Sequence, residues 1–160
     1  MAKIARPKVL GGITDKKTTG CGNMYIQMNW LHGRLFEVFA TLGHSGGCSM
    51  SFTEALTRSI TAGLRQEVPV PVEDYIDQLH SIRCLSPHPF PKEEETWSCP
   101  DAIARALREY GSLTVEQVVK IMMDSDGDAK PVMDAQKGDE QKAAEQELVR
   151  LHAERERQEI

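Results

Sequence analysis

The chain has 160 residues, 40% of them hydrophobic, with 19 Lys and Arg against 24 Asp and Glu for a formal net charge of -5. This length holds one domain with a core, and the acidic balance provides no global attraction to phosphate, so no specific nucleic-acid partner is expected. Nowhere does the sequence offer the roughly 20 consecutive apolar residues that span a bilayer, and the N-terminus is basic without an apolar stretch, so no membrane association and a cytoplasmic location are expected.

The first segment, MAKIARPKVLGGITDKKTTG, sets Lys3, Arg6, Lys8, Lys16 and Lys17 against Asp15 and reads as a solvated surface. MYIQMNW (Met24 to Trp30) and RLFEVFATL (Arg34 to Leu42) alternate as strands do, with a glycine in the LHG between them, and predict an antiparallel hairpin. In the following LGHSGGCSMSF, Gly43, Ser45 and Gly47 have the spacing of a serine-hydrolase nucleophile elbow. Such an elbow needs a large sheet, a downstream acid and an oriented histidine. His80, His88 and His152 fall on a helix, in a proline loop and near the end of the chain, so these glycines are read as a turn beside Cys48.

Phe52, Leu56, Ile60 and Leu64 then recur every four residues, which predicts a helix with that stripe on the sheet and Ser49 or Ser51 as its cap. VPVPVEDYIDQLHSI breaks at Pro69 and Pro71 and restarts as a second helix with Val72, Tyr75, Ile76 and Leu79 inward. CLSPHPFPKEEETWS is a loop stiffened by prolines. In SCPDAIARALREYG, Pro100 suits the first helical turn, Asp101 complements the helix dipole and Gly111 predicts a left-handed helix end, with Ile103, Leu107 and Tyr110 buried. SLTVEQVVKIMM predicts a further short helix, with Thr114 and Gln117 as a capping box and Val115, Val118, Val119 and Met122 on its apolar side.

Beyond Asp124 the apolar content falls. DSDGD (Asp124 to Asp128) is not a calcium loop, because its glycine comes two positions early and no Glu closes it. Ala144, Leu148 and Leu151 form a thin stripe, supported by the pairs Glu147 with Arg150 and Glu154 with Arg157, that predicts a helix formed against a partner. The expected plan is a domain over 1–123, a linker over 124–136 and a charged helical tail over 137–160. The expected fold class is α+β: a small, hairpin-based antiparallel sheet packed against three to four helices.

Each of the four cysteines stands at a joint: Cys21 before the first predicted strand, Cys48 before a helix, Cys84 after the second helix and Cys99 at the start of the third. In a reducing compartment they are free thiols, redox thiols or metal ligands. The helix-start positions of Cys48 and Cys99 predict lowered thiol pKa values. Met24, Met28 and Met50 are read as core filler.

Taken together, TTGCGNMYIQMNW, GRLFEVFATLGHSGGCSMSFTEALTRSI, IRCLSP and SCPDAIARAL resemble the TSCPD domain, the C-terminal module of adenosylcobalamin-dependent (class II) ribonucleotide reductases. The resemblance runs over about residues 8 to 110. Trp97 stands where the name-giving motif has threonine, while Ser98, Cys99, Pro100 and Asp101 match. A weaker similarity, carried by Cys21, Cys48 and Cys99 in their order, is to iron-sulfur-cluster scaffold proteins. These resemblances imply that Cys21, Cys48, Cys84 and Cys99 converge on one metal site, holding zinc as the first expectation and an iron-sulfur cluster as the second. The catalytic barrel of a reductase does not fit in this chain. The resemblance therefore implies an accessory module or subunit of a class II ribonucleoside-diphosphate reductase, not catalytic alone. Its partner is the large catalytic subunit, adenosylcobalamin enters only through that partner, and a homo-oligomer through the C-terminal helix is a further expectation. A metallocluster carrier and a thiol-redox partner protein are the alternatives.

Overall fold

The computed structural model describes residues 2–43, 47–85 and 96–124, which lie in one compact unit. The elements in order are β1 (Gly11–Thr19), β2 (Gly22–Leu31), β3 (Arg34–Leu42), α1 (Cys48–Leu64), α2 (Val72–Leu79), α3 (Cys99–Tyr110) and α4 (Val115–Asp124). The strands form an antiparallel meander in the order β1-β2-β3, and with the four helices the fold is α+β as expected. Among the described residues no helix is long and apolar enough to cross a membrane. The Ser45 turn, most of the proline loop, the linker and the charged tail lie outside the described residues.

The predicted hairpin is present, and β1 extends it by a strand that the sequence pattern does not announce. Two glycines and three charged residues make GGITDKKTT a poor strand by propensity. Pairing with β2 overrides this, in register from Gly11 opposite Trp30 to Thr19 opposite Gly22. The register requires Gly12, because a Cβ there would meet Asn29 Oδ1 at 2.0 Å and Met28 O at 2.2 Å. The charges expected to be solvated are also used. Lys17 pairs with Asp15 and with Glu109 of α3. Arg6 grips the buried Glu37 carboxylate through Nε at 2.9 Å and Nη2 at 2.9 Å, while Asn29 Nδ2 donates to the same carboxylate at 2.8 Å.

Alternation places Met24, Ile26 and Met28 of β2 opposite Leu42, Ala40 and Val38 of β3 on one face. That face is sealed by Ile60 and Leu64 of α1 and by Ile103 and Leu107 of α3, all buried. Each such side chain contributes roughly 1.5–3 kcal/mol by leaving water. Met24 and Met28 are core filler, as read.

α1 is rotated from the expected setting: Thr53, Thr57, Ile60, Thr61 and Leu64 are buried, whereas Phe52 is 74% exposed. The physical reason is the edge of β3. Thr61 Oγ1 accepts the Val38 N–H at 2.9 Å and donates to the Val38 carbonyl at 2.9 Å, capping strand groups that an aliphatic stripe would leave unpaired. Neither Ser49 nor Ser51 caps α1; its N-cap is Gly47, at φ 91°, with no side-chain cap.

α2 begins at Val72, after Pro71, and buries Ile76 and Leu79. α3 carries Pro100 in its first turn and is capped by Ser98, whose Oγ accepts the Asp101 N–H at 3.2 Å. Gly111 ends it in the right-handed region (φ -63°, ψ -29°), not the left-handed one. Its glycine identity answers to space: a Cβ would lie 2.5 Å from Leu107 O and 2.7 Å from Val72 Cγ1. The α4 capping box is formed, with Thr114 N–H to Gln117 Oε1 at 2.8 Å and Gln117 N–H to Thr114 Oγ1 at 3.4 Å. Of its predicted apolar side only Val118 is buried; Ile121 joins it, and Val115, Val119 and Met122 are exposed.

Candidate functional site

Three backbone joints meet at one end of the sheet. Cys21 sits in the tight turn joining β1 to β2, where Thr19 Oγ1 accepts the Cys21 N–H at 3.2 Å and donates to Gly22 O at 2.9 Å. Gly22, at φ 114°, supplies a conformation that other residues reach at a cost. Cys84 leaves the α2 exit and donates its N–H to Trp97 O at 3.0 Å. The guanidinium of the preceding Arg83 lies 4.2 Å from the centre of the Trp97 ring. Trp97, the departure from the family motif, thus ties the Cys84 segment to the segment that carries Cys99. Thr96 completes the junction by donating its hydroxyl to Thr18 O.

Between these joints and α1 lies a cavity of about 410 Å³ whose lining includes Cys21, Cys84 and Cys99, with Phe52, Thr53 and Leu56 from α1. The helix stripe predicted to face the sheet therefore supplies part of a pocket wall. Cys48, the fourth cysteine expected here, is exposed on the first residue of α1 and is not part of the lining. Its neighbour Ser49 takes that place, with its Oγ 3.7 Å from Cys21 Sγ.

Cys99 is half-buried, and its thiol is pushed up to about 11. Burial is the main cause, the nearby thiols Cys21 and Cys84 add to it, and a contact with Thr19 Oγ1 at 3.8 Å works the other way. The lowered value expected from its helix-start position is not found: desolvation and neighbouring thiols outweigh the helix end.

Asp101 is the residue that the sequence reading underrated. Its carboxylate is fully buried and accepts from Ser81 N–H at 2.9 Å, Trp97 N–H at 3.1 Å and Arg105 Nε at 3.0 Å, with His80 Nδ1 at 3.1 Å. Burial pushes its pKa up, but the hydrogen bonds from Ser81, Trp97 and Arg105 win and hold it below the ordinary carboxylate value. A signal was present: Ser98-x-x-Asp101 has the spacing of a capping box, which places the acid at the third helical position.

In kind, the three cavity thiols suit a thiophilic ion. As arranged they do not close a ligand set: among the described residues no group of three or more His, Cys, Asp or Glu is placed to hold a metal ion. What the arrangement provides is a cluster of thiols, one of them held protonated, at the wall of a largely apolar pocket.

Among known proteins, residues 2–111 match the TSCPD domain family. No curated protein and no solved structure matches the chain.

Proposed function

The chain belongs to the TSCPD domain family, a family linked to ribonucleotide reductases. From that premise we propose that it is an accessory, non-catalytic module of a class II ribonucleoside-diphosphate reductase, with the cysteine-lined cavity as its working part. The observation that carries this reading is the convergence of Cys21, Cys84 and Cys99, distant in sequence, on one cavity.

In this reading the cavity thiols, which as they stand do not close a ligand set, would draw together around zinc, or an iron-sulfur cluster in its place. Cys21, Cys84 and Cys99 would hold the metal, and Cys48 is the remaining thiol available to the set. Bound there, zinc would cross-link the three joints and stabilise the domain against unfolding. The protein's own part is to present the thiols on a cavity whose α1 wall is Phe52, Thr53 and Leu56. Adenosylcobalamin and the nucleotide stay with the catalytic subunit. The charged segment 137–160 is assigned to contact with that subunit or with a second copy.

The test is anaerobic purification of the full chain, elemental analysis, and capture of a class II catalytic subunit from solution. About one zinc per chain, lost in Cys99→Ser, together with capture of the catalytic subunit, is the expected result. A metal-free chain that ignores the subunit and exchanges disulfides with a thioredoxin-type partner would replace this reading with the thiol-redox one. That second reading is favoured by the mutual proximity of Cys21, Cys84 and Cys99.

A further inference from the structure

The sheet has a second face, opposite the core, and among the described residues half of it is open. We propose that this open half binds single-stranded nucleic acid by stacking bases on Tyr25 and Phe39.

The pairing of β2 with β3 sets Gln27 opposite Phe39 and Tyr25 opposite Thr41, so the two aromatic residues are diagonal neighbours on adjacent strands and share the outward face. Diagonal neighbours of this kind lie within reach of one another, roughly 7–8 Å apart at the backbone. Both rings meet solvent, Tyr25 at 41% and Phe39 at 40% exposure, although every large residue on the opposite face of β2 is sealed.

Their surroundings select the occupant. Lys16 pairs directly opposite Tyr25 across β1 and is exposed, as are Thr14, Asn23, Gln27 and Thr41 on the same face. Among the described residues of the strands, one carboxylate lies on this face, Glu37, and it is buried under Arg6 and Asn29. Asp15 belongs to the core-side face, with Lys17 and Glu109. The open half thus offers two aromatic faces, a cation and neutral hydrogen-bonding groups, with no exposed acid among the described strand residues, on a molecule whose net charge is -5. The N-terminal segment that brings Arg6 to Glu37 bounds this half and carries a further exposed cation, Lys8.

Bases present a π-face whatever their identity, and stacking on aromatic side chains with lysines on the phosphates is the chemistry of sequence-tolerant single-strand binding. A duplex hides those faces. With so few cations the affinity is modest and falls with salt.

The experiment is fluorescence anisotropy of the full chain with labelled oligothymidylate and oligouridylate of about 15 nucleotides, at low and moderate salt. Tyr25→Leu and Phe39→Leu keep apolar bulk on the strand while removing the ring, and circular dichroism confirms their fold. The expected result is binding of single strands, weakened about tenfold by either substitution and weakened with a shallower salt slope by Lys16→Glu. Duplex of equal length and free thymidine triphosphate compete poorly. Absence of binding to both strands, affinity unchanged in both leucine variants, or a dimer that the same variants dissociate would each overturn the proposal.

Discussion

The carboxylate of Asp101 accepts the backbone N–H of Ser81 at 2.9 Å, so the first turn of α3 holds the second residue beyond the end of α2. The Trp97 N–H reaches the other oxygen at 3.1 Å, and the chain on both sides of the proline loop is thereby fixed to one buried anion. Asp101→Asn keeps the shape but turns an amide toward donors. It is expected to cost about 2–4 kcal/mol at neutral pH, read from urea unfolding.

The same group predicts a pH dependence. Its folded pKa lies below the ordinary value of 3.8, so its contribution is present above that value and is lost as pH falls through the lower folded value. The stability gap between the natural chain and Asp101→Asn should therefore narrow in acid. A gap that stays constant from pH 7 to about pH 3 would assign the loss to shape and not to charge.

Ser81 itself is held at φ 65°, in the left-handed region. That conformation costs a non-glycine residue about 1 kcal/mol, and the Asp101 bond holds it there. Ser81→Gly is expected to raise stability by about 0.5–1 kcal/mol, and Ser81→Val to lower it, both measured by thermal melting. Equal losses in the two variants would mean that the serine side chain, not the backbone, sets the turn.

These two residues mark where sequence legibility ends. The hairpin, the second helix, the capped α3 and the α4 capping box follow from local rules, and local rules are written in the sequence. β1 was missed because its strand state is imposed by a neighbour, through Gly12 against Asn29 and Lys17 against Glu109. In α1 the Ile60 and Leu64 half of the aliphatic stripe faces the core as the periodicity predicts, yet Thr61 turns to the β3 backbone and leaves Phe52 and Leu56 to the cavity. Of the cysteines, the meeting of Cys21, Cys84 and Cys99 at one cavity is implied by the family resemblance, while their positions at joints only allow it. The placing of Cys48 outside the cavity lining depends on the rotation of α1 and is not legible in the sequence.

Cys99 supplies a chemical prediction for the metal-free protein. With its thiol at about 11, only about one part in a thousand is thiolate at pH 8, against about a quarter for an ordinary cysteine. Iodoacetamide should modify Cys99 far more slowly in the native chain than in urea, followed residue by residue by mass spectrometry. The raised value also means that the folded state keeps its proton longer, so this group's contribution is full below about pH 8.5 and declines as pH rises toward 11. Native Cys99 reacting at the unfolded rate at pH 8 would remove the basis for both statements.

At Gly111 the issue is space between helices. An added Cβ would press on the Leu107 carbonyl and on Val72 of α2. Gly111→Ala is expected to cost about 1–3 kcal/mol, as overpacking does, and Val72→Ala in the same chain should recover part of that loss. A neutral Gly111→Ala would show that the α2–α3 contact gives way easily.

The meander order of the strands has a consequence for how the molecule comes together. β1, β2 and β3 are joined by tight turns, so their pairings are local hairpins of the kind that form in about 1–10 μs. Cys21 is in place as soon as the first of these closes. Cys99 joins it only when α3 has been synthesised and has docked across the sheet, through Thr96 on Thr18 and Glu109 on Lys17. On the ribosome the sheet can therefore form while the pocket has no far wall, and the thiols meet at the close of folding.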